Sequence, residues 1–166
     1  ESKLNGAKKA GVTKVLIPSE NRITACVSCQ VGCSLDCDFC ATAKIKRMRN
    51  LDFYEIFDQS MILNFESVKL FGRSISNIVF MGMGEPLLNY KNVLKAIEMI
   101  CSKKGIGISK KKITVSTSGM SKIIKLLADN NAKFKLAVSL HSAIEKTRND
   151  IMPFSKDFPL TELMDS

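Results

Sequence analysis

The sequence lacks the features that mark a membrane or secreted protein. No run of about 18 consecutive apolar residues is present, so no membrane-spanning helix is expected. The first residues, Glu1-Ser-Lys-Leu-Asn-Gly6, contain neither an initiating Met nor the apolar stretch of a signal peptide. Internal repeats are absent, and the lysine runs are the only biased segments. We therefore expect a cytoplasmic protein with no membrane partner, and 166 residues suit one ordinary domain.

Acidic residues are the scarcer charged type. The 16 Asp and Glu residues are outnumbered by 25 Lys and Arg, which gives a net charge of +9. A small basic protein is a candidate for binding a polyanion. The basic clusters are Lys44-Ile-Lys-Arg-Met-Arg49, Lys103-Lys104 and Lys110-Lys-Lys112. For the two later clusters, ordinary solvated surface charge is an equally good explanation.

The six cysteines are unevenly distributed, and five of them fall between residues 26 and 40. Without a secretion signal, this crowding favours metal or redox chemistry over a disulfide framework. The sixth, Cys101, lies alone in an apolar helical pattern and is predicted to be a buried small hydrophobe.

The run Cys33-Ser-Leu-Asp-Cys37-Asp-Phe-Cys40 places three thiolates on one short loop. A cubane iron–sulfur cluster is usually held by four thiolates, so three leave one iron open to a substrate. That arrangement suits a [4Fe-4S] cluster that does chemistry on a bound molecule. A zinc site made from Cys26, Cys29, Cys37 and Cys40 is the alternative, but it leaves Cys33 unused and its two pairs are closer than in common zinc ribbons.

Strand-like and helix-like segments alternate along the chain. The predicted strands are Arg22–Val27, Asn77–Met81, Lys112–Ser116 and Phe134–Leu140. A helix over 53–71 is predicted to bury one stripe, formed by Phe53, Phe57, Met61, Phe65 and Val68. A second helix is expected to begin at Asn92 as its N-cap. This alternation predicts an α/β fold with a parallel sheet and with the motifs at the carboxyl ends of the strands.

The run Gly82-Met-Gly84-Glu85-Pro86 follows the second predicted strand. Glycines allow a ligand to approach the backbone, and the Glu85 carboxylate would accept hydrogen bonds from a cationic amino group. Taken alone, the same run describes a glycine turn before a helix, with Glu85 favoured by the helix dipole. The cysteine loop upstream makes ligand binding the better interpretation.

Several motifs together resemble one enzyme family. They are Cys26-Val-Ser-Cys-Gln-Val-Gly-Cys33, the three-cysteine loop, Met81–Asn89, Thr114–Gly119 and Val138-Ser-Leu-His141. Over about Val15 to about Pro153 the chain resembles the radical S-adenosylmethionine (SAM) family that methylates C2 of adenine in 23S rRNA and tRNA. Relatives that act at C8 share most of these motifs. Two further hypotheses are an inactive RNA- or metal-binding remnant of the fold and a radical SAM enzyme with a different substrate.

The resemblance implies cofactors, partners and roles for individual residues. The cofactors are a [4Fe-4S] cluster on Cys33, Cys37 and Cys40 and SAM, and the partners are 23S rRNA, tRNA and an electron donor such as flavodoxin. The implied SAM pocket contains Phe39, Gly84, Glu85, Ser116, Ser139, Leu140 and His141. Cys26 matches the catalytic cysteine that resolves a covalent protein–RNA adduct.

The chain departs from the family at several positions. Cys29 replaces the usual serine, where it is a potential competing thiol, and Thr13 stands where the family has a glutamate proposed as a base. The methyl-carrying cysteine of the family has no match within these residues.

The fold implied is part of a six-strand (β/α) barrel, comprising about the first four βα units in residues 21–166. Residues 1–20 are expected to form a loop and β extension. Such an unclosed barrel would expose a strand edge and self-associate.

Overall fold

The computed structural model describes residues 11–45 and 49–166. Its main feature is a five-stranded sheet in the order β1-β2-β5-β6-β7, beside a two-stranded antiparallel pair, β3-β4. The strands are β1 (Val15–Ser19), β2 (Arg22–Cys26), β3 (Gln30–Val31), β4 (Arg49–Asn50), β5 (Asn77–Phe80), β6 (Ile113–Thr117) and β7 (Lys135–Val138). The α-helices are α1 (Phe53–Phe71), α2 (Tyr90–Cys101), α3 (Ser121–Asp129), α4 (Glu145–Ile151) and α5 (Leu160–Asp165).

The topology confirms the predicted α/β class. Strands β2, β5, β6 and β7 are mutually parallel, and each of them is followed along the chain by a helix. The four strands match the four predicted ones to within two residues at either end. β1 is the exception in direction, since it pairs antiparallel with β2 and forms one edge of the sheet. Four parallel βα units therefore carry their carboxyl ends to one side of the molecule.

Helix α1 has the predicted bounds because its two ends are capped. At the N-terminus, the Asp52 side chain and Glu55 form a capping box, and Gly72 ends the helix in the left-handed region at φ 67°. The predicted buried stripe is only partly confirmed: Phe53 and Phe57 are partly buried and pack against the core, but two of its later residues are exposed. Phe65 is 66% exposed and Val68 46% exposed.

The buried face of α1 is instead turned by about one residue. It consists of Ile56, Gln59, Ser60, Leu63 and Ser67. The polar members of this face have hydrogen-bond partners inside the protein, such as the Ser28 backbone for Gln59 and the Arg73 carbonyl for Ser67. Satisfied polar groups can be buried at little cost. The aromatic residues therefore did not determine which face of α1 packs inward.

Helix α2 begins earlier than predicted. Its N-cap is Asn89, not Asn92, and Asn92 lies in the first turn, where its amide donates to the Asn89 side chain. A 3-10 turn over Pro86–Asn89 leads directly into α2 and leaves no room for a start at Asn92. An apolar stripe of α2 faces the core, with Val93, Ile97 and Ile100 buried. Cys101, which was predicted to be buried, is only partly buried and packs against the core.

The core lies between the sheet and its helices. Its best-buried side chains include Ile23, Ile56, Ile78, Phe80, Ile97 and Ile113. At the edge of the sheet, β7 pairs with β6 alone among the described residues, and Leu136 and Val138 are each 40% exposed. Within the described part of the chain, no helix is both long enough and apolar enough to cross a membrane.

Candidate active site

One cavity opens at the carboxyl ends of the parallel strands. Its volume is ≈ 370 Å³, enough for a ligand of small-molecule size. The lining residues named in the sequence analysis are Cys33, Cys37, Phe39, Cys40, Gly84, Glu85, Ser116, Ser139 and His141. Leu35, Thr117, Ser118 and Met152 also line it. The three cysteines and six of the seven residues implied for SAM therefore face one space, although they come from four different segments of the chain.

The cysteine loop is shaped by short-range backbone features. Gly32 and Asp36 both have positive φ, 74° and 48°, so the chain turns sharply just before Cys33 and again before Cys37. The Cys33 amide donates to the Ile45 carbonyl at 3.1 Å, and the Cys40 amide donates to the Cys37 carbonyl at 3.0 Å. These turns bring the three thiols to the same cavity wall.

The segment before this loop is clamped by buried amide side chains. The Gln59 carboxamide pairs with both backbone groups of Ser28, accepting from its N–H at 2.9 Å and donating to its carbonyl at 3.0 Å. Asn89 donates to the carbonyls of Cys29 and Leu51, each at 2.8 Å. Gln59 thus pairs with the Ser28 backbone as a neighbouring strand would. The path from Cys26 to Cys33 is therefore held by side chains of α1 and of the turn that begins α2.

The two glycines before Glu85 are required for packing. A Cβ atom on Gly82 would lie 2.5 Å from the Ser28 hydroxyl, and one on Gly84 would lie 2.5 Å from Cβ of Gln30. Gly84 also has a φ of 93°, which L side chains rarely adopt. The glycines therefore let the turn after β5 pack against the cysteine segment, and both also line the cavity.

Glu85 is 4% exposed and its carboxylate is held by three protein donors. Oε1 accepts from the Leu87 amide at 2.9 Å, and Oε2 accepts from the Ser118 amide at 2.8 Å and the Ser118 hydroxyl at 2.9 Å. Burial raises the pKa of Glu85, and these hydrogen bonds oppose the rise. A carboxylate has about four acceptor sites, and these donors occupy one on Oε1 and two on Oε2.

The thiols repel one another when they ionise. Burial, followed by the charges of Cys33, Cys40, Glu85 and Asp36, raises the pKa of Cys37 to about 11. Burial is also the main cause of the raised pKa of Cys33. A positively charged occupant of the cavity would favour the ionised form of Glu85, which lines it.

Two side-chain pairs complete the cavity wall. The rings of Phe39 and His141 are in contact, with centroids 3.9 Å apart, and His141 has a positive φ of 59°. The hydroxyl oxygens of Ser116 and Ser139 lie 3.4 Å apart, which joins the ends of β6 and β7.

Two predicted site residues lie outside this lining. Leu140 is 38% exposed and is not part of the cavity wall. Cys26 is half-buried at the end of β2, beside Met81, which does line the cavity. Burial raises the pKa of Cys26, and the Met81 backbone amide opposes this by favouring the thiolate. The roles assigned to these two residues stay predictions.

Cys29 occupies a core position. It is 2% exposed, and its thiol donates to the Met83 carbonyl at 3.5 Å. Burial raises the pKa of Cys29 well above its ordinary value. A buried neutral thiol is a poor competing nucleophile, because the thiolate is the reactive form.

The three remaining cysteines fit an iron–sulfur cluster better than a single ion. In residues 11–45 and 49–166, no three His, Cys, Asp or Glu side chains are grouped as ligands of one metal ion. A cubane takes each thiolate on a different iron, so its ligands need not converge on one point. Three thiols on one wall, with a cavity beside them, match a cluster that has one open iron.

The basic clusters differ in their relation to this site. Lys46 and Arg47 of the first cluster lie outside the described residues, while Arg49 pairs with Glu55 at 2.7 Å. Lys110–Lys112 immediately precede β6, and Lys103 and Lys104 follow α2. Both later clusters are thus at the amino ends of the strands, opposite the cavity, and neither lines it.

Sequence reasoning missed Thr117, Ser118 and Met152 as lining residues. Thr117 and Ser118 belong to the Thr114–Gly119 run, and their position at the carboxyl end of β6 was the available signal. Met152 follows α4, and no pattern in the sequence indicates its position in the wall.

The fold and the site define a class of enzyme: a parallel α/β protein with a three-cysteine loop and a ligand cavity at the carboxyl ends of its strands. The chain belongs to the radical SAM superfamily, whose sequence model matches residues 27–158. Membership implies a [4Fe-4S] cluster and SAM as cofactors, in agreement with the sequence-based prediction.

Relatives and a solved structure support this placement. The chain is 66% identical over 155 residues to the probable dual-specificity RNA methyltransferase RlmN of Flavobacterium psychrophilum, and 63% identical to that of Flavobacterium johnsoniae. Each match covers 93% of this chain but only 45% and 44% of those relatives. A radical SAM methyltransferase from Sphaerobacter thermophilus superposes with a TM-score of 0.88 at 38% identity, over 92% of this chain and 44% of that one. The chain thus spans less than half the length of these relatives.

Proposed function

We propose that this chain is the cluster- and SAM-binding part of an RNA methyltransferase that adds a methyl group to C2 of adenine in 23S rRNA and tRNA. The observation that carries the proposal is the cavity shared by Cys33, Cys37 and Cys40 on one wall and Glu85 with the strand-end serines on another. The names of the relatives, which describe dual-specificity RNA methyltransferases, support the substrate class.

The residues of the cavity divide into two tasks. Cys33, Cys37 and Cys40 hold the cluster, and Glu85 accepts hydrogen bonds from the amino group of SAM through its remaining Oε1 site. When bound, the cluster and SAM together supply one-electron reductive cleavage of a carbon–sulfur bond. The positive charges of the sulfonium and ammonium groups of SAM complement the carboxylate of Glu85.

The wall of the cavity orients the rest of SAM. Ser116 and Ser139 present hydroxyl groups from adjacent strand ends, and His141 presents its ring from the loop after β7. Phe39 packs on His141 and covers the side of the cavity next to Cys40. Leu140 contributes through the backbone of the same loop, because its side chain is not in the wall.

Cys26 is assigned the resolving role. It lies at the carboxyl end of β2, on the side of the sheet where the cavity opens, and next to the lining residue Met81. An electron donor such as flavodoxin, RNA partners and a cytoplasmic location belong to this proposal.

The test is nucleoside mass spectrometry after incubation of a complete methyltransferase that contains this chain as its cluster- and SAM-binding part, reconstituted and reduced, with methyl-labelled SAM and 23S rRNA or tRNA. Labelled 2-methyladenosine supports the proposal, whereas 8-methyladenosine as the product assigns the protein to the C8 relatives. A Cys26→Ala variant should accumulate a protein–RNA adduct instead of releasing product. SAM cleavage without any methylated nucleoside would contradict the proposed substrate.

One observation favours a non-methylating remnant instead. Thr13 replaces the glutamate of the family, and a threonine cannot act as a carboxylate base. In the structure, the Thr13 carbonyl accepts a hydrogen bond from the Ser28 hydroxyl at 2.6 Å, which is a structural contact. Thr13→Glu, made in the same complete methyltransferase, separates the two functions: a gain of methylated adenine in this variant, with none in the protein that has Thr13, identifies a remnant that lost its base.

A further inference from the structure

A buried arginine lies behind the proposed SAM site. Arg148 of α4 is 0% exposed, although it carries a permanent charge. Its Nη2 donates to the Ser118 carbonyl at 2.7 Å and its Nη1 donates to the Phe158 carbonyl at 3.2 Å. Its Nε has no hydrogen-bond partner in the described part of the chain.

Stability alone does not account for this residue. No carboxylate forms an ion pair with Arg148 among the described residues, where the ion pairs are Arg49–Glu55 and Lys146–Asp150. Burial lowers the pKa of Arg148, and Glu145 and Cys37 only oppose that effect from a distance. Burying a charge that has no ion-pair partner is costly. A buried cation bound only to carbonyl oxygens therefore calls for another explanation.

The contacts of Arg148 continue directly to Glu85. Arg148 holds the carbonyl of Ser118, while the amide and hydroxyl of the same Ser118 hold Oε2 of Glu85. Ser118 is thus fixed on both sides, and it is 6% exposed. This chain of contacts joins the turn after β5, the turn after β6 and helix α4.

The backbone of the β6 turn is built to admit the guanidinium. Gly119 has a φ of +104°, and a Cβ atom there would lie 3.2 Å from Nη2 of Arg148 and 3.0 Å from Leu163. The turn therefore passes close to Arg148 with no side chain between them. Without the arginine, the carbonyl of Ser118 would be left unpaired in a buried site and free to turn.

We propose that Arg148 is a positioning residue for SAM: by fixing Ser118, it holds Oε2 of Glu85 in place so that Oε1 faces the amino group of the ligand. The inference rests on the proposed role of Glu85 in the function above. It assigns no contact between Arg148 and SAM. Arg148 therefore affects the binding of only the amino acid portion of SAM.

The test compares two ligands of the reconstituted protein by titration calorimetry. SAM carries the amino acid portion, and 5′-methylthioadenosine has the same adenosine and sulfur without it. Arg148→Met should weaken SAM binding about tenfold, as expected when one charge-assisted contact is misplaced, and leave 5′-methylthioadenosine binding within about twofold. Lys146→Met is the matched control, because Lys146 lies on the same helix with its side chain 86% exposed, and it should change neither affinity.

Two further variants separate positioning from folding and from the SAM assignment itself. Glu85→Gln should give the same selective loss, and the double variant Arg148→Met with Glu85→Gln should lose no more than Glu85→Gln alone. The melting temperature of Arg148→Met should fall, because the carbonyls of Ser118 and Phe158 lose their donor. Both titrations are therefore run well below the melting temperature of every variant, and a parallel loss of affinity for both ligands there would overturn the proposal in favour of a general structural role.

The remaining outcomes are also decisive. Selective loss in Glu85→Gln with unchanged SAM affinity in Arg148→Met overturns the relay and leaves the SAM site standing. Unchanged SAM affinity in Glu85→Gln overturns both the relay and the role of Glu85. Failure of the wild-type protein to bind SAM shows that the proposed function itself is wrong, and Arg148 then has no ligand to position.

Discussion

The clamp between Gln59 and Ser28 is the contact through which helix α1 supports the cysteine segment. Both atoms of the Gln59 carboxamide are used, since Oε1 accepts from the Ser28 amide at 2.9 Å and Nε2 donates to the Ser28 carbonyl at 3.0 Å. Both residues are fully buried. We predict that Gln59→Ala strongly destabilises the protein and loosens the approach to Cys33.

The magnitude follows from two backbone groups left without partners. Each buried, unpaired group costs about 1–3 kcal/mol, and alanine restores a few tenths of a kcal/mol through its higher helix propensity. We therefore expect a loss of about 2–5 kcal/mol in the free energy of unfolding. Lys69→Ala on the same helix is the control; Lys69 is exposed and should change the free energy by less than about 0.5 kcal/mol.

Urea denaturation followed by circular dichroism measures both variants. Gln59→Glu adds a second check, because a carboxylate accepts from the Ser28 amide but cannot donate to the Ser28 carbonyl. It should destabilise the protein more at pH 8 than at pH 5, since a buried glutamate resists ionisation. If Gln59→Ala costs no more than Lys69→Ala, the paired amide does not hold this segment and the reasoning is refuted.

Three further predictions follow from other contacts. Gly84→Ala should cost about 2–4 kcal/mol because its Cβ would lie 2.5 Å from Cβ of Gln30, whereas Gly107→Ala, also at positive φ but with open space, should cost about 1 kcal/mol; equal losses in denaturation would contradict this. The Arg49 hydrogen bond lowers the pKa of Glu55 below 4.5, so Glu55 should stabilise the protein above that pH and lose the effect as pH falls through its folded pKa; a stability difference from Glu55→Gln that persists in strong acid would refute it. The exposed apolar edge of β7 should promote self-association, and a sharp monomer at high concentration in analytical ultracentrifugation would contradict that.

The elements of the fold were predictable where local signals are strong. The bounds of α1 follow from Asp52, Glu55 and Gly72, which mark helix ends through hydrogen bonding and backbone geometry. The face that α1 buries was not predictable. Hydrophobic periodicity favoured Phe65, yet the buried face includes Gln59, whose burial depends on a partner 31 residues away.

The candidate site shows the same division. Cys33, Cys37 and Cys40 were predicted from their spacing, and Glu85 was predicted from the glycine motif around it. Each of these two signals lies within a few consecutive residues of the sequence. Arg148 was not, since it belongs to a charged stretch that resembles an exposed helix face. Its burial arises from contacts with Ser118 and Phe158, which only the fold brings together.

The positions of the strands were predicted more reliably than the physical roles of the motif residues that follow them. The glycines before Glu85 were predicted to let a ligand approach the backbone. The structure shows that they also let the turn after β5 pack against Ser28 and Gln30. Likewise, Cys29 was expected to be a competing thiol but is buried against the Met83 carbonyl. In each case the residue type was informative, and its physical role depended on a neighbour distant in sequence.

The most direct test of the central claim is the EPR spectrum of the anaerobically reconstituted, dithionite-reduced protein, recorded with and without SAM. A cubane held by Cys33, Cys37 and Cys40 with one open iron should give a reduced-cluster signal that changes when SAM is added. Individual Cys→Ala substitutions at these three positions should abolish it, while Cys101→Ala should leave it intact. A signal that SAM does not change, or one that survives loss of any of the three cysteines, would contradict the claim that this cavity holds the cluster and SAM together.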